Sequence, residues 1–291
     1  MADSTKARLQ HALAEALRKQ IGAGRVDPSG YVSTIEDNLV PGVTRELFWD
    51  EFSAGAGREL SDRGYGSGEG SRTVQPKMLA AHGSAVLAVN SFARWKDAPK
   101  YLAIAGATNF ERLNFEQECP TGLPGTPPTL DLLAEGPFGI VGVESKCTEY
   151  FEPKAPLFSE SYESLADDLK ASPWFRLIPQ IEAGRVRYEF LDVAQLIKHA
   201  IGLARAYDRS RPHAQLSLLY VFWEPEDALE FKECAAHRRE LAALMAAVSN
   251  ARVGFSATSY TTLWERWEAA IEPPWAREHA NHLMARYRVA I

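Results

Sequence analysis

Between Leu216 and Phe222 the chain reads LSLLYVF, an almost unbroken apolar run. A strand of that character has no solvated face, so both sides of its sheet must be covered. The flanking segments supply the cover. Val193 to Tyr207 repeats Leu196, Ile197, Ile201 and Leu203 at helical spacing, and Asp227 to Val248 is a long helix rich in Ala, Leu, Glu and Arg. Upstream lie three strand-like segments. Leu113 to Cys119 alternates apolar and polar residues, and Thr129 to Leu133 and Ile140 to Cys147 are joined by a turn at Glu135-Gly136-Pro137. Strands joined by short turns are antiparallel, whereas a strand reached through a helix is usually parallel to its neighbour. The pattern predicts an α/β fold: a mixed sheet, an antiparallel meander plus a parallel strand, flanked by helices.

The remaining segments fit around that sheet. Leu9, Leu13 and Leu17 sit four apart, which predicts an amphipathic N-terminal helix packed on the body. Ser53 to Ser71 is rich in glycine and reads as a mobile loop; it carries neither GxxxxGK[ST] nor a strand-anchored GxGxxG. Met78 to Trp95 has helical spacing, with Leu79, Val86, Val89 and Phe92 on one side. Val253 to Ser259 reads as a further strand, and helices are predicted over Leu263 to Ala270 and Trp275 to Tyr287, separated by Pro273 and Pro274. We divide the chain into an N-terminal helical and loop region, 1–76, packed on a core, 77–291, that includes the C-terminal helices; together they form one compact domain. With 46% hydrophobic residues the chain can bury a core, which excludes global disorder. The three cysteines, Cys119, Cys147 and Cys234, form no CxxC pair, so neither a zinc knuckle nor a disulfide framework is expected. No apolar stretch is long enough for a membrane helix, and the N-terminus lacks the apolar region of a signal peptide; a cytoplasmic protein is expected.

The chemistry concentrates in PPTLDLLAEGPFGIVGVESKCTEYF, Pro127 to Phe151. Glu144 and Lys146 are two apart on a strand and share a face. A turn near Gly136 and Pro137 sets Asp131 across from residues 142–143, one step from Glu144. Two carboxylates and an ammonium then converge. Charged residues two apart on a strand ordinarily mark its solvated face. Two details oppose that here: IVGVESKC is too apolar for an edge, and Gly139 and Gly142 permit close approach. Neighbouring carboxylates repel, and a divalent cation removes the conflict. Mg²⁺ or Mn²⁺ prefers oxygen ligands; Asp131 and Glu144 would supply them, with the backbone carbonyl of Ser145 as a third. Lys146 would orient an attacking water or neutralise charge in the transition state.

A D…ExK set on a strand hairpin, followed by a helix and a buried strand, resembles the PD-(D/E)XK nuclease superfamily, whose core is helix, three strands, helix, strand. The Pro-Asp pair is not kept, since Thr129-Leu130 precede Asp131. More specifically the chain resembles a group of bacterial restriction-endonuclease-like proteins. The pieces that carry the likeness are GAGREL (Gly55 to Leu60), KMLAAHGSAVLAVNSFARW (Lys77 to Trp95), the LDLLAEG…GIVGVESKCTEYF hairpin and DVAQLIKHAIGL (Asp192 to Leu203). The resemblance implies metal-dependent hydrolysis of DNA phosphodiesters, with Asp131, Glu144 and Lys146 as catalytic core. It also implies that Glu59 matches an acidic position that is a further metal ligand in some members, and that Gln195 faces the active site as a Gln or Lys does in related nucleases. The other reading on the same fold is a catalytically inactive nucleic-acid-binding or interaction module.

Other residues read both ways. Glu116 and Glu118 share a face of the first strand; one of them would complete a metal site, but a solvated face accounts for both. His82, Ser84 and Asn90 would support the site or touch DNA, and helix packing explains them equally. A formal net charge of -6 argues against a protein that binds nucleic acid through its whole surface. The basic set Arg58, Arg63, Arg72 and Lys77 would grip phosphates if it lined the cleft. A cut through both strands needs two active sites, which points to a homodimer.

Overall fold

The structure is a computed structural model that describes residues 4–54, 59–60, 76–164 and 167–291. The elements in chain order are α1 (Thr5–Ile21), α2 (Trp49–Ala54), α3 (Ser84–Phe92), β1 (Arg112–Glu118), β2 (Thr129–Glu135), β3 (Gly139–Lys146), α4 (Asp167–Lys170), α5 (Pro173–Glu182), α6 (Val193–Tyr207), β4 (Gln215–Phe222), α7 (Lys232–Ala247), β5 (Val253–Ser259), α8 (Tyr260–Glu268) and α9 (Ala276–Tyr287). The strands form one mixed sheet in the order β1-β2-β3-β4-β5. β1/β2 and β2/β3 are antiparallel; β3/β4 and β4/β5 are parallel. The mixed α/β architecture expected from the sequence is therefore present, and its two most buried strands, β3 and β4, lie inside the sheet.

Alternation along β3 sorts the covering helices. Ser145 Oγ donates to the Ser84 carbonyl at 3.2 Å and lies 2.7 Å from the Tyr260 hydroxyl, so its face is covered by α3 and α8. Glu144 and Lys146 project to the other face, where they meet His199 and Gln195 of α6. One strand further on, Tyr220 reaches His237 of α7 at 3.0 Å. Leu9 and Leu13 of α1 join the same buried core as the sheet. The three cysteines are free and buried. Among the described residues no helix is long and apolar enough to cross a membrane.

Three elements depart from their predicted bounds by three residues or more. The helix expected over Met78 to Trp95 is a 3-10 turn at Lys77–Leu79, then α3, then a 3-10 stretch at Ala93–Asp97. The backbone of the first part is engaged elsewhere: Val32 N–H donates to Leu79, Ala81 N–H donates to Gly30, and the Asn38 amide donates to the Met78 and Ala80 carbonyls. Those tertiary bonds replace the helical ones that the periodicity favoured. The helix expected from Asp227 starts at Lys232, because Phe231 is extended and Asp227 accepts the Ile291 N–H. α8 begins at Tyr260 rather than Leu263. Ser259 ends β5 and caps the helix at once, accepting the Thr262 N–H at 3.1 Å. The glycine-rich loop expected over Ser53 to Ser71 lies largely outside the described residues, as do Arg58, Arg63 and Arg72.

Candidate active site

The site sits on the α6 face where the antiparallel and parallel halves of the sheet meet. The β2/β3 hairpin closes at Glu135↔Ile140, and the Gly136 N–H donates to the Gly139 carbonyl across the turn. The turn is thus centred on Pro137 and Phe138, one residue later than expected. The register continues through Leu132↔Val143, which sets Asp131 opposite Glu144 itself rather than opposite 142–143. Across β1/β2, the pairs Phe115↔Leu132 and Gln117↔Leu130 set Glu116 opposite Asp131. Directly opposed residues project to one face, so Glu116, Asp131 and Glu144 form a row across three strands. Glu116 holds a left-handed backbone at φ 50°. For a residue with a side chain that costs roughly 1 kcal/mol or more, and such strain gathers at functional positions.

Asp131 and Glu144 have identifiable partners. Asp131 Oδ2 accepts the Ser145 N–H at 2.6 Å. A strand residue's N–H and C=O face the same neighbouring strand, so the Ser145 carbonyl is also turned to the Asp131 side. Lys146 Nζ donates to Glu144 Oε1 and, at 3.0 Å, to Gln195 Oε1. Gln195 lies in the first turn of α6, where Asp192 caps its N–H at 3.1 Å; a cap of this kind contributes about 1 kcal/mol to holding the helix start in place. His199 Nδ1 lies 3.2 Å from Glu144 Oε2, off the line of a good hydrogen bond.

These surroundings separate the carboxylates electrostatically. Burial pushes the Glu144 carboxyl up, but Lys146 and then His199 more than offset it and hold it at about 2. Burial and then the charge of Glu144 push Asp131 well above the usual carboxylate range, against the pull of Lys146 and the Ser145 N–H. Burial, with the charges of Glu59 and Glu144, pushes Glu116 up to about 7. Burial disfavours the Lys146 ammonium, yet Glu144 and Asp131 keep it firmly protonated. One ionised and two reluctant carboxylates in a row is what a site short of positive charge looks like.

Asp131, Glu144, Lys146 and Gln195 are therefore brought together. Glu59 stands beside the row: its charge acts on Glu116, and its Oε1 pairs with Lys77 Nζ at 2.9 Å. Glu116, read from sequence as more simply explained by a solvated face, belongs to the row, while Glu118 is exposed. Asn90 is part of the packing, bonded to Val40, Asn38 and Tyr287. Sequence reasoning missed His199; its spacing of one turn from Gln195 was the available signal. Among the described residues no three His, Cys, Asp or Glu side chains by themselves form a metal cluster. The donor set suits a hard cation that needs few side chains: two facing carboxylates, a carbonyl turned to them, and a buried Glu144 Oε2 with no in-line hydrogen-bond donor among the described residues.

Residues 36–288 match the model of a family described as restriction endonuclease associating with ARP. No curated protein and no solved structure matches the chain.

Proposed function

Since the chain belongs to the family described as restriction endonuclease associating with ARP, we propose that it hydrolyses DNA phosphodiesters with a divalent cation, as a nuclease of the PD-(D/E)XK type. The observation that carries this reading is the convergence of Asp131, Glu144 and Lys146 on one face of the sheet, with Gln195 bonded to the lysine. Mg²⁺ or Mn²⁺ would be held by Asp131, Glu144 and the Ser145 carbonyl, with Glu59 and Glu116 close by. Such an ion lowers the pKa of a bound water and offsets charge on the phosphate.

The protein's own groups divide the remaining tasks. Glu144, ionised at neutral pH, keeps its neighbour Lys146 protonated. Gln195 holds the Lys146 ammonium from the second side, so the donor is oriented before substrate arrives, and little reorganisation is needed as charge develops. Asp131 is anchored to the β3 backbone, which fixes the distance between the two carboxylates. Of the basic set Arg58, Arg63, Arg72 and Lys77, the first three lie outside the described residues; phosphate contacts from this set would let a chain of net negative charge meet DNA. The family description also carries an association with ARP to this chain.

The test is cleavage of plasmid and single-stranded DNA with Mg²⁺, with Mn²⁺ and with EDTA, for wild type, Lys146→Ala and Asp131→Ala. Metal-dependent cutting lost in both variants supports the reading. A wild type that cuts neither substrate, yet binds DNA in EDTA, replaces it with a non-catalytic binding module.

A further inference from the structure

α6 meets the Glu144–Lys146 pair at two points one helical turn apart. Gln195 accepts from Lys146, and His199, four residues on, sets Nδ1 3.2 Å from Glu144 Oε2. Residues four apart lie on one helix face, so a single rigid element addresses both charges. Glu144 and His199 are each only 1% exposed. Among the described residues neither Glu144 Oε2 nor His199 Nδ1 has an in-line hydrogen-bond partner, and the two atoms lie 3.2 Å apart. The positions around His199 on α6, Leu196, Ala200 and Leu203, are buried and apolar. An apolar residue at 199 would pack there without the penalty of burying a ring nitrogen, so packing alone does not account for a histidine.

We propose that His199 is a positioning residue of the site: it fixes the Oε2 end of Glu144, as Lys146 fixes the Oε1 end, so that the carboxylate presents one orientation to a divalent cation. The inference rests on the reading of Asp131 and Glu144 as cation ligands. The last torsion of a glutamate is broad. A single contact from the flexible Lys146 stem leaves the carboxylate free to swing, and a second contact from a helix on the other side removes that freedom. Groups that orient a metal-binding carboxylate in this way set affinity without touching the ion.

The test is Mn²⁺ binding to the full chain, followed by electron paramagnetic resonance, for wild type, His199→Ala and His199→Asn, with melting temperatures measured alongside. His199→Ala should weaken Mn²⁺ binding roughly 10- to 100-fold. It should raise the metal concentration needed for half-maximal cleavage while changing kcat at saturating metal far less. Asn places its amide nitrogen near the position of imidazole Nδ1 and should restore most of the affinity, whatever its effect on melting temperature. Mn²⁺ affinity equal in wild type and His199→Ala, within about twofold, overturns the inference and leaves the ligand reading intact. A wild type that binds no Mn²⁺ overturns the ligand reading itself. A second arm uses no metal: the His199 Nδ1 nitrogen chemical shift should move on Glu144→Gln, and an unchanged shift overturns the contact.

Discussion

Asp131 Oδ2 accepts the Ser145 N–H at 2.6 Å, so the carboxylate that opposes Glu144 is tied to the backbone of the strand that carries Glu144. Neither group can retreat from the other. Burial and Glu144 push Asp131 well above the usual carboxylate range, and a raised acid lowers stability at any pH above its unfolded value. Asp131→Asn keeps an oxygen for the Ser145 N–H and removes the charge. In EDTA at neutral pH the variant should be more stable than wild type, because a neutral amide escapes the burial and repulsion that penalise the carboxylate. It should also lose DNA cleavage. Urea unfolding beside a cleavage assay checks both, and a variant less stable than wild type contradicts the electrostatic account.

Lys146 should behave in the opposite way. Its ammonium is the main compensation for buried Glu144. Lys146→Met removes that charge and leaves the carboxylate uncompensated, which typically costs about 3–5 kcal/mol. Added Mg²⁺ should recover part of the loss in the variant and shift wild type less. Melting curves with EDTA and with Mg²⁺ for both proteins measure the difference of differences.

The strand hairpin and its ExK spacing were legible because side chains alternate with period two, a property of any strand. α6 and β5 matched their predicted bounds for a similar reason: local signals there agree with tertiary ones. What failed was non-local. The Asp131–Glu144 register depended on which residues centre the turn, and a shift of one residue turned a neighbour into an opposed pair. Glu116 enters the site only through its register with Asp131, which alternation along β1 does not encode. The 77–83 segment lost its helix to bonds that its backbone makes with Gly30, Val32 and the Asn38 side chain, residues far away in sequence. Beyond its spacing from Gln195, nothing in the sequence singled out His199, and only its partner on β3 distinguishes it.

Two groups give opposing pH dependences that substitution can separate. Burial and neighbouring carboxylates push Glu116 up to about 7, so its ionisation weakens the folded state above pH 7. That cost fades as pH falls through 7 toward the unfolded value near 4.5. Glu116→Gln should therefore be more stable than wild type at pH 8 by about 1–3 kcal/mol, with the advantage gone near pH 4.5. Burial, aided by Arg238, lowers His237 to about 3. Below about pH 6.5 the unfolded chain takes up a proton that the folded protein refuses, and stability falls by about 1.4 kcal/mol per pH unit until pH 3. His237→Gln removes that slope, so its stability deficit against wild type should shrink between pH 6.5 and 4. Urea midpoints over pH 4–8 for the three proteins read both trends.

The placement of α6, which carries Gln195 and His199, rests on a glycine. A methyl group at Gly202 would run into the Cys119 carbonyl oxygen and lie 3.0 Å from its carbon. These are backbone atoms at the end of β1, which cannot swing aside as a side chain would. Alanine favours a helix by about 1 kcal/mol over glycine, yet an overpacked core typically costs about 1–3 kcal/mol. Because the clash is with backbone, the loss should win: Gly202→Ala is expected to destabilise by about 1–2 kcal/mol net. Relief requires α6 to move away from the sheet, which lengthens the Lys146–Gln195 and Glu144–His199 contacts together. Cleavage should then fall at temperatures where the variant is still fully folded. Gly24, where a methyl group meets nothing within 4 Å, is the control; Gly24→Ala should stay within about 0.5 kcal/mol of wild type. Unfolding curves and single-turnover cleavage at 20 °C test the coupling, and full activity in a destabilised Gly202→Ala would show that the helix tolerates displacement without consequence for the site.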